Sequence, residues 1–351
     1  MEYSVSALIP KQCQNIFSSI WKNLFSVLSI CLIIYLSYLA IKWAVIDATF
    51  FAPSLTECHT KGACWAIISV RWKQFLYGFY PDAEIWRVNF VFFIFLMSIG
   101  LLAFFKKHLF LKMIIVFLSA ITSIALLRGD SFHLAPVGTD LWGGLFLTIF
   151  LSVCCILLAF PIALLLALGR QSKLIVLKAI CVTVIEVVRG VPLISILFMA
   201  SFMLPFFLPE GVNFDKLLKI ACGIILFQGA YLAEVIRGGM YAVPKGQYEA
   251  CAALGLSYWR SMRLVILPQA LRITIPGIVN TFISLFKDTT LVMIVGMLDF
   301  LGIIQSAITD PKWIGSALEA YIFCALVYWI ICFSMSLFSK KLETKLKVHH
   351  L

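Results

Sequence analysis

Apolar runs of about 18 residues or more recur along the whole chain, the length that crosses the hydrocarbon layer of a bilayer as helix. Hydrophobic residues make up 62% of the 351 and charged residues 13%, against about 25% charged in a soluble protein. A soluble core does not hide that many runs, so the fold class is all-α integral membrane, a polytopic helical bundle. The formal net charge of +11 would suit nucleic acid only if the basic residues gathered on one solvated face. They sit between the apolar runs, where positive charge sets membrane orientation instead. No nucleic-acid partner is expected.

The candidate spans are Leu24–Ile46, Val88–Phe105, Met113–Leu127, Leu141–Leu168, Leu174–Leu208, Leu217–Ile236, Ala270–Ile304 and Ser316–Phe338. That makes about eight transmembrane helices. Placing the N-terminus inside puts Lys11, Lys22, Lys106, Lys107, Arg170, Lys173, the Arg237–Arg272 cations and the Lys340–Lys347 tail on the cytoplasmic side. Most of the 28 basic residues then lie inside, as the positive-inside rule requires. Keeping the tail inside also makes Ala270–Ile304 a single crossing. The expectation is a multi-pass inner-membrane protein with both termini cytoplasmic. Met1 to Asn23 reads as no cleavable signal peptide, because the run from Leu24 is long enough to remain as an anchor. Leu174–Leu208 is composite: an interfacial helix to Ile185, then an interruption by Glu186, Arg189, Gly190 and Pro192 before a span.

The eleven cysteines lie mostly within apolar segments, where Cys acts as a small hydrophobe. Cys58 and Cys64 differ, sharing the polar loop 47–87, and they are a candidate disulfide if that loop faces an oxidising compartment. No metal site is expected, since no His or Cys joins them at zinc spacing. Enzyme motifs are missing as well: there is no G-x-x-x-x-G-K-[ST], no H-E-x-x-H and no G-x-S-x-G. No catalytic residue and no cofactor is assigned.

The distinctive segment is the basic loop 237–272. Gly238, Gly239, Pro244 and Gly246 break the helix that leaves the membrane. Gln247–Leu254 then reads as a short Ala-rich helix stopped by Gly255. Ser257 is placed to cap a second helix, Tyr258–Leu267, ended by Pro268. Small side chains and one exposed carboxylate at a membrane face make a knob that another protein's groove can approach closely. An ordinary solvated loop is the competing reading.

Glu186–Leu193 (EVVRGVPL), Ala230–Arg272 (AYLAEVIRGGMYAVPKGQYEACAALGLSYWRSMRLVILPQALR), Lys287–Leu291 (KDTTL) and Gly296–Asp299 occur in that order over about five spans. In these motifs the chain resembles permease subunits of binding-protein-dependent ABC importers for amino acids, the histidine/glutamine permease-like family. The match covers about 137–340 and centres on that family's EAA signature, with Cys251 where the usual second Ala stands. KDTTL stands where KDTSL is more common. Gly62–Ala66 (GACWA) and Leu76–Pro81 (LYGFYP) resemble the larger M-type permease of importers for polar and general L-amino acids, although Trp86-Arg87-Val88 departs from that type's WRP. The resemblance implies a MetI-like core at 137–345 and a three-helix extension at 1–136.

It also implies a transport subunit that is not an enzyme. ATP would be hydrolysed by separate ABC ATPase subunits, and a periplasmic amino-acid-binding protein would deliver the cargo. A second permease would complete a heterodimer, with membrane lipid around it. Glu249, Ala250, Cys251, Leu254 and Gly255 would form the ATPase-coupling contact, Cys251 carrying an exposed thiol. Lys287, Asp288, Thr289 and Thr290 fall within the membrane's thickness, where ionisable groups are costly and usually face a cavity. They are candidates for the translocation pathway; pairing with neighbouring helices to hold a helix break is the competing role. Glu186 and Arg189 read as interfacial anchors. From a different functional class, an ATP-independent secondary transporter or channel would also place its site near broken helices. It would show inverted repeats and a self-contained ion site, and the sequence has neither.

Overall fold

In hydrocarbon every backbone N–H and C=O must be paired within its own segment, so long apolar runs become helices. The computed structural model describes residues 20–58, 61–104, 109–130, 134–207, 209 and 214–347, and the described residues are mostly helical, joined by loops that carry only isolated bridges. Most of Met1–Asn23, together with Lys11, Lys106 and Lys107 of the orientation argument, lies outside them.

Helix α1 (Ile20–Ile41) continues as a π turn to Ile46, and α2 (Ala66–Tyr77) follows the loop. Next come α3 (Ile85–Phe104), α4 (Leu109–Arg128) and α5 (Gly144–Arg170). The bent pair is α6 (Ile175–Gly190) and α7 (Leu193–Phe198). Then come α8 (Lys216–Ala242), α9 (Lys245–Ala253), α10 (Tyr258–Ser261), α11 (Leu267–Ile273), α12 (Ile275–Asp288), α13 (Phe300–Ile308) and α14 (Ala317–Lys347).

Among the described residues, five stretches are long and apolar enough to cross a membrane: Lys22–Ile46, Gly144–Arg170, Lys216–Ala242, Ile275–Val295 and Ala317–Lys345. The bent pair Ile175–Gly190 with Leu193–Phe207, whose arms meet at 105°, makes a sixth when its two arms are counted as one span. Helices α3 and α4, of 20 residues each, correspond to the remaining expected spans.

The chain divides into two compact units, residues 1–70 with 310–320, and 71–309 with 321–351. In the first, α1 exposes Leu24, Phe25, Leu28, Ile33 and Ile34, as a lipid-facing helix does. The following loop is tied to itself by Thr49 N–H to the Ala63 carbonyl (2.8 Å) and Trp65 N–H to the Thr49 carbonyl (2.8 Å). Cys58 and Cys64 form a disulfide there, their Cα atoms 5.8 Å apart. The Cys64 N–H donates to the buried Glu319 carboxylate at 3.0 Å.

In the second unit α5 packs most extensively against α8. Ala159, Ala163 and Ala167 recur every four residues on α5 and are fully buried, as are Ala230 and Ala233 of α8. Small residues at this spacing let two helix backbones approach closely in a membrane. Helix α3 packs onto α5 through Phe95 and Phe150, ring centroids 6.0 Å apart. Near the start of α3, Arg87 is fully buried, its Nη1 donating to the Ala135 carbonyl at 2.8 Å.

The start of α5 is crowded. Gly144 has φ +71°, and a Cβ there would lie 2.6 Å from the Phe75 carbonyl oxygen and 2.9 Å from the Gly78 nitrogen. Gly144→Ala is therefore expected to destabilise the chain by about 2–3 kcal/mol, from left-handed backbone plus overpacking. A thermal midpoint in detergent equal to that of the parent chain would refute this.

One expectation needs correction. The α6 helix does not stop near Ile185 but runs through Glu186 and Arg189 to Gly190, and the break falls at Val191–Pro192. Proline forces its preceding residue into extended backbone, and Val191 has φ −105° and ψ 137°. Glu186 and Arg189 are ordinary helix positions.

Candidate functional site

The hairpin after α8 is built by its breakers. Pro244, at ψ 138°, turns the chain out of α8, and α9 starts at once. Its end is a Schellman cap: Leu256 N–H donates to the Cys251 carbonyl and Gly255 N–H to the Ala252 carbonyl, each at 3.0 Å. Gly255 sits at φ +67°, the left-handed conformation that glycine adopts at no steric cost. Ser257 occupies the next N-cap position, but its side chain makes no cap hydrogen bond.

The second helix is longer than its sequence suggests. Helical backbone continues from Tyr258 through a π turn at Met262–Ile266 into α11, past Pro268. The widened turn, with Pro268 in the first turn of α11, absorbs the missing N–H and the ring clash that would end a regular helix.

Three contacts hold the hairpin. Tyr248 donates to the Met240 carbonyl at the end of α8 (2.9 Å), and Gln269 Nε2 donates to Gln247 Oε1 (3.1 Å). Met262 and Ile266 are buried with Ile236, Met240 and Val243. Burial raises the Tyr248 hydroxyl above its ordinary range, with the Tyr258 and Tyr241 phenols adding to the shift. It remains a donor at neutral pH. The outward face presents Glu249, Ala250, Leu254 and Gly255, all exposed, and Leu254 is 77% exposed. Glu249 makes no ion pair among the described residues. Cys251 departs from expectation: it is 4% exposed, so its thiol faces inward and is no surface liability.

Lys287, Asp288, Thr289 and Thr290 lie where α12 gives way to a 3-10 stretch, Thr289–Val295, before Gly296. They do not converge on one point. Lys287 is exposed, Asp288 accepts from Gln228 Nε2 at 3.3 Å, and the two threonine hydroxyls donate to the Phe286 and Lys287 carbonyls of their own helix. Gln228, 2% exposed on α8, escaped sequence reasoning because one Gln in an apolar run carries no pattern.

A second omission is a charge network. Arg170 Nη1 lies 2.8 Å from Glu186 and 3.3 Å from Glu234, and Arg189 lies 3.8 Å from Glu234. Arg237 pairs with Glu234 as well. Each flanking arginine also lies over a tyrosine ring, Arg189 over Tyr231 at 5.3 Å and Arg237 over Tyr241 at 5.1 Å. The sequence signal was the doubled EVxRG, at Glu186–Gly190 and Glu234–Gly238. The fold joins both copies through Arg170, so Glu186 and Arg189 are network members rather than free interfacial anchors.

Spans packed through small residues, a broken helix bearing charges, and an exposed two-helix hairpin define the transmembrane subunit of a multi-component transporter. Residues 159–348 match the family described as binding-protein-dependent transport system inner membrane component, and the chain belongs to that family. It is 45% identical over 335 residues to the inner membrane amino-acid ABC transporter permease protein YhdY of Escherichia coli (strain K12), covering 95% of this chain and 91% of that one. It is 39% identical over 405 aligned positions to the glutamate/glutamine/aspartate/asparagine transport system permease protein BztC of Rhodobacter capsulatus, covering 96% and 93%. Among solved structures it is similar to an amino acid ABC transporter crystallised with histidines. That likeness has a TM-score of 0.51 and 28% identity, over 57% of this chain and 92% of that one. The chain is thus a multi-pass inner-membrane transport subunit and not an enzyme; ATP hydrolysis belongs to a separate ATPase subunit, and a binding protein is its other partner.

Proposed function

We propose that this chain is the permease subunit of an ATP-driven importer that moves L-amino acids delivered by an extracytoplasmic binding protein across the inner membrane. The observation that carries the reading is the likeness to an amino-acid permease along 95% of the chain at 45% identity. The exposed Glu249–Gly255 face at the end of α8 supports it, because an importer without its own nucleotide site needs a surface for the ATPase to grip.

Glu249, Ala250, Leu254 and Gly255 make the ATPase contact, and Cys251 packs behind them. A second, non-identical permease completes the pathway. Both termini and the 237–272 hairpin are cytoplasmic, and the loop holding Cys58 and Cys64 lies outside, where an oxidising milieu keeps the disulfide. Residues 137–345 form the permease core and 1–136 an extension. Lys287 and Asp288 line the pathway beside the helix break, surrounded by lipid-facing helices.

The test is reconstitution with the ATPase, a second permease and a binding protein. Uptake is expected only with all components and ATP; ATP-independent uptake by the isolated chain would sink the proposal. Topology is checked by thiol labelling of a chain retaining only Cys58 and Cys64. An impermeant maleimide added outside is expected to label it only after reduction. Labelling from the cytoplasmic side alone would reverse the orientation.

A further inference from the structure

Where α5 and α8 end and α6 begins, beside α9, a cavity of about 560 Å³ is lined by Arg170, Lys178, Arg237, Lys245, Tyr241 and Tyr248, and no carboxylate among the described residues lines it. Two of its cations already have partners, since Arg170 and Arg237 pair with Glu186 and Glu234. Lys178 and Lys245 are exposed and make no ion pair among the described residues. Arg170, which also lines the cavity, holds its Nη1 at ion-pair distance from both carboxylates without an aligned hydrogen bond to either. Around the cavity, cations therefore outnumber the two carboxylates that serve them, in a space large enough for more than a bare ion.

We propose that this cavity is a binding site for a phosphate-bearing anion, seated between Lys178 and Lys245 with Arg170 as the deeper donor. A phosphate offers several acceptor oxygens to converging ammonium and guanidinium groups, which is the complement of this lining. Two sources share that chemistry, the headgroup of an anionic phospholipid and a free phosphate. The first turns of α6 and its N-cap, around Lys178, leave Leu174, Ile175, Val176 and Ile180 exposed, an apolar surface against which acyl chains can lie while the headgroup enters the cavity. The inference does not depend on which solute the subunit transports.

The test uses the full chain purified in detergent, with the pair Lys178→Gln/Lys245→Gln and the charge-keeping pair Lys178→Arg/Lys245→Arg. In one arm, native mass spectrometry reads retention of phosphatidylglycerol against phosphatidylcholine. The Gln pair is expected to lower phosphatidylglycerol retention by about tenfold or more, and the Arg pair to keep it. Phosphatidylcholine should not respond in either. In the other arm, inorganic phosphate is titrated and followed by phosphorus NMR. Saturable binding there, weakened by the Gln pair, assigns the site to a free anion. If parent and Gln pair behave alike in both arms, the proposal is overturned. Neither lysine holds an internal ion pair, so unfolding midpoints equal to the parent's are expected and separate lost binding from lost fold.

Discussion

Gly255→Val removes ATP-driven uptake by at least about tenfold while the chain still inserts and folds. Valine is β-branched and is a steric outlier at the φ of +67° that Gly255 adopts. The backbone cost is about 1–2 kcal/mol, enough to open the Schellman cap but too little to unfold a polytopic bundle. Packing within the chain contributes nothing, because a Cβ at Gly255 meets no atom within 4 Å. Any large loss of uptake therefore reports on the surface that the cap shapes for a partner. Gly255→Asn is the matched control, since asparagine enters the left-handed region more readily and should retain most uptake. ATP hydrolysis by the assembled complex is measured in parallel and is expected to continue in the valine variant, uncoupled from transport. Equal uptake by valine, asparagine and parent chains would mean that the hairpin is not the coupling element.

Glu234→Gln is expected to destabilise the bundle strongly, through charge rather than packing. Its side chain is 20% exposed and serves Arg170, Arg189 and Arg237 together. Without it three guanidinium groups crowd the end of the bundle with only Glu186, bound to Arg170, to balance them. Breaking a fully buried pair costs about 3–5 kcal/mol, and partial exposure lowers the figure here to about 2–3 kcal/mol. Glu186→Gln is the internal comparison: its side chain is 54% exposed and meets one arginine, so its cost should stay below about 1 kcal/mol. Thermal unfolding of the purified chain separates the two. Equal shifts would show that Glu234 is no hub.

Much of the membrane architecture could be read directly from sequence because apolar length is a local property. Gly144–Arg170, Lys216–Ala242 and Ala317–Lys345 each overlap an apolar run visible in the sequence. The helix before Gly255 and its glycine stop were also local, set by residues within one turn. Errors arose where a neighbouring element or an altered turn outweighed local preference. Pro268 stops a regular helix, but a π turn just before it lets the helix continue. Cys251 looked exposed from its place in a loop, and the packing of the hairpin turned it inward.

The sequence alone determined that the chain crosses a membrane many times and carries a small-residue hairpin between basic flanks. Hydrophobic length, breakers and charge act within a few residues, so they survive without any knowledge of packing. Only the tertiary structure decided that two distant EVxRG copies meet through Arg170, that Gln228 faces Asp288, and that Lys178 and Lys245 share one cavity. Those contacts join residues on different helices. Their partners are chosen by helix crossing and rotation, which no local pattern records.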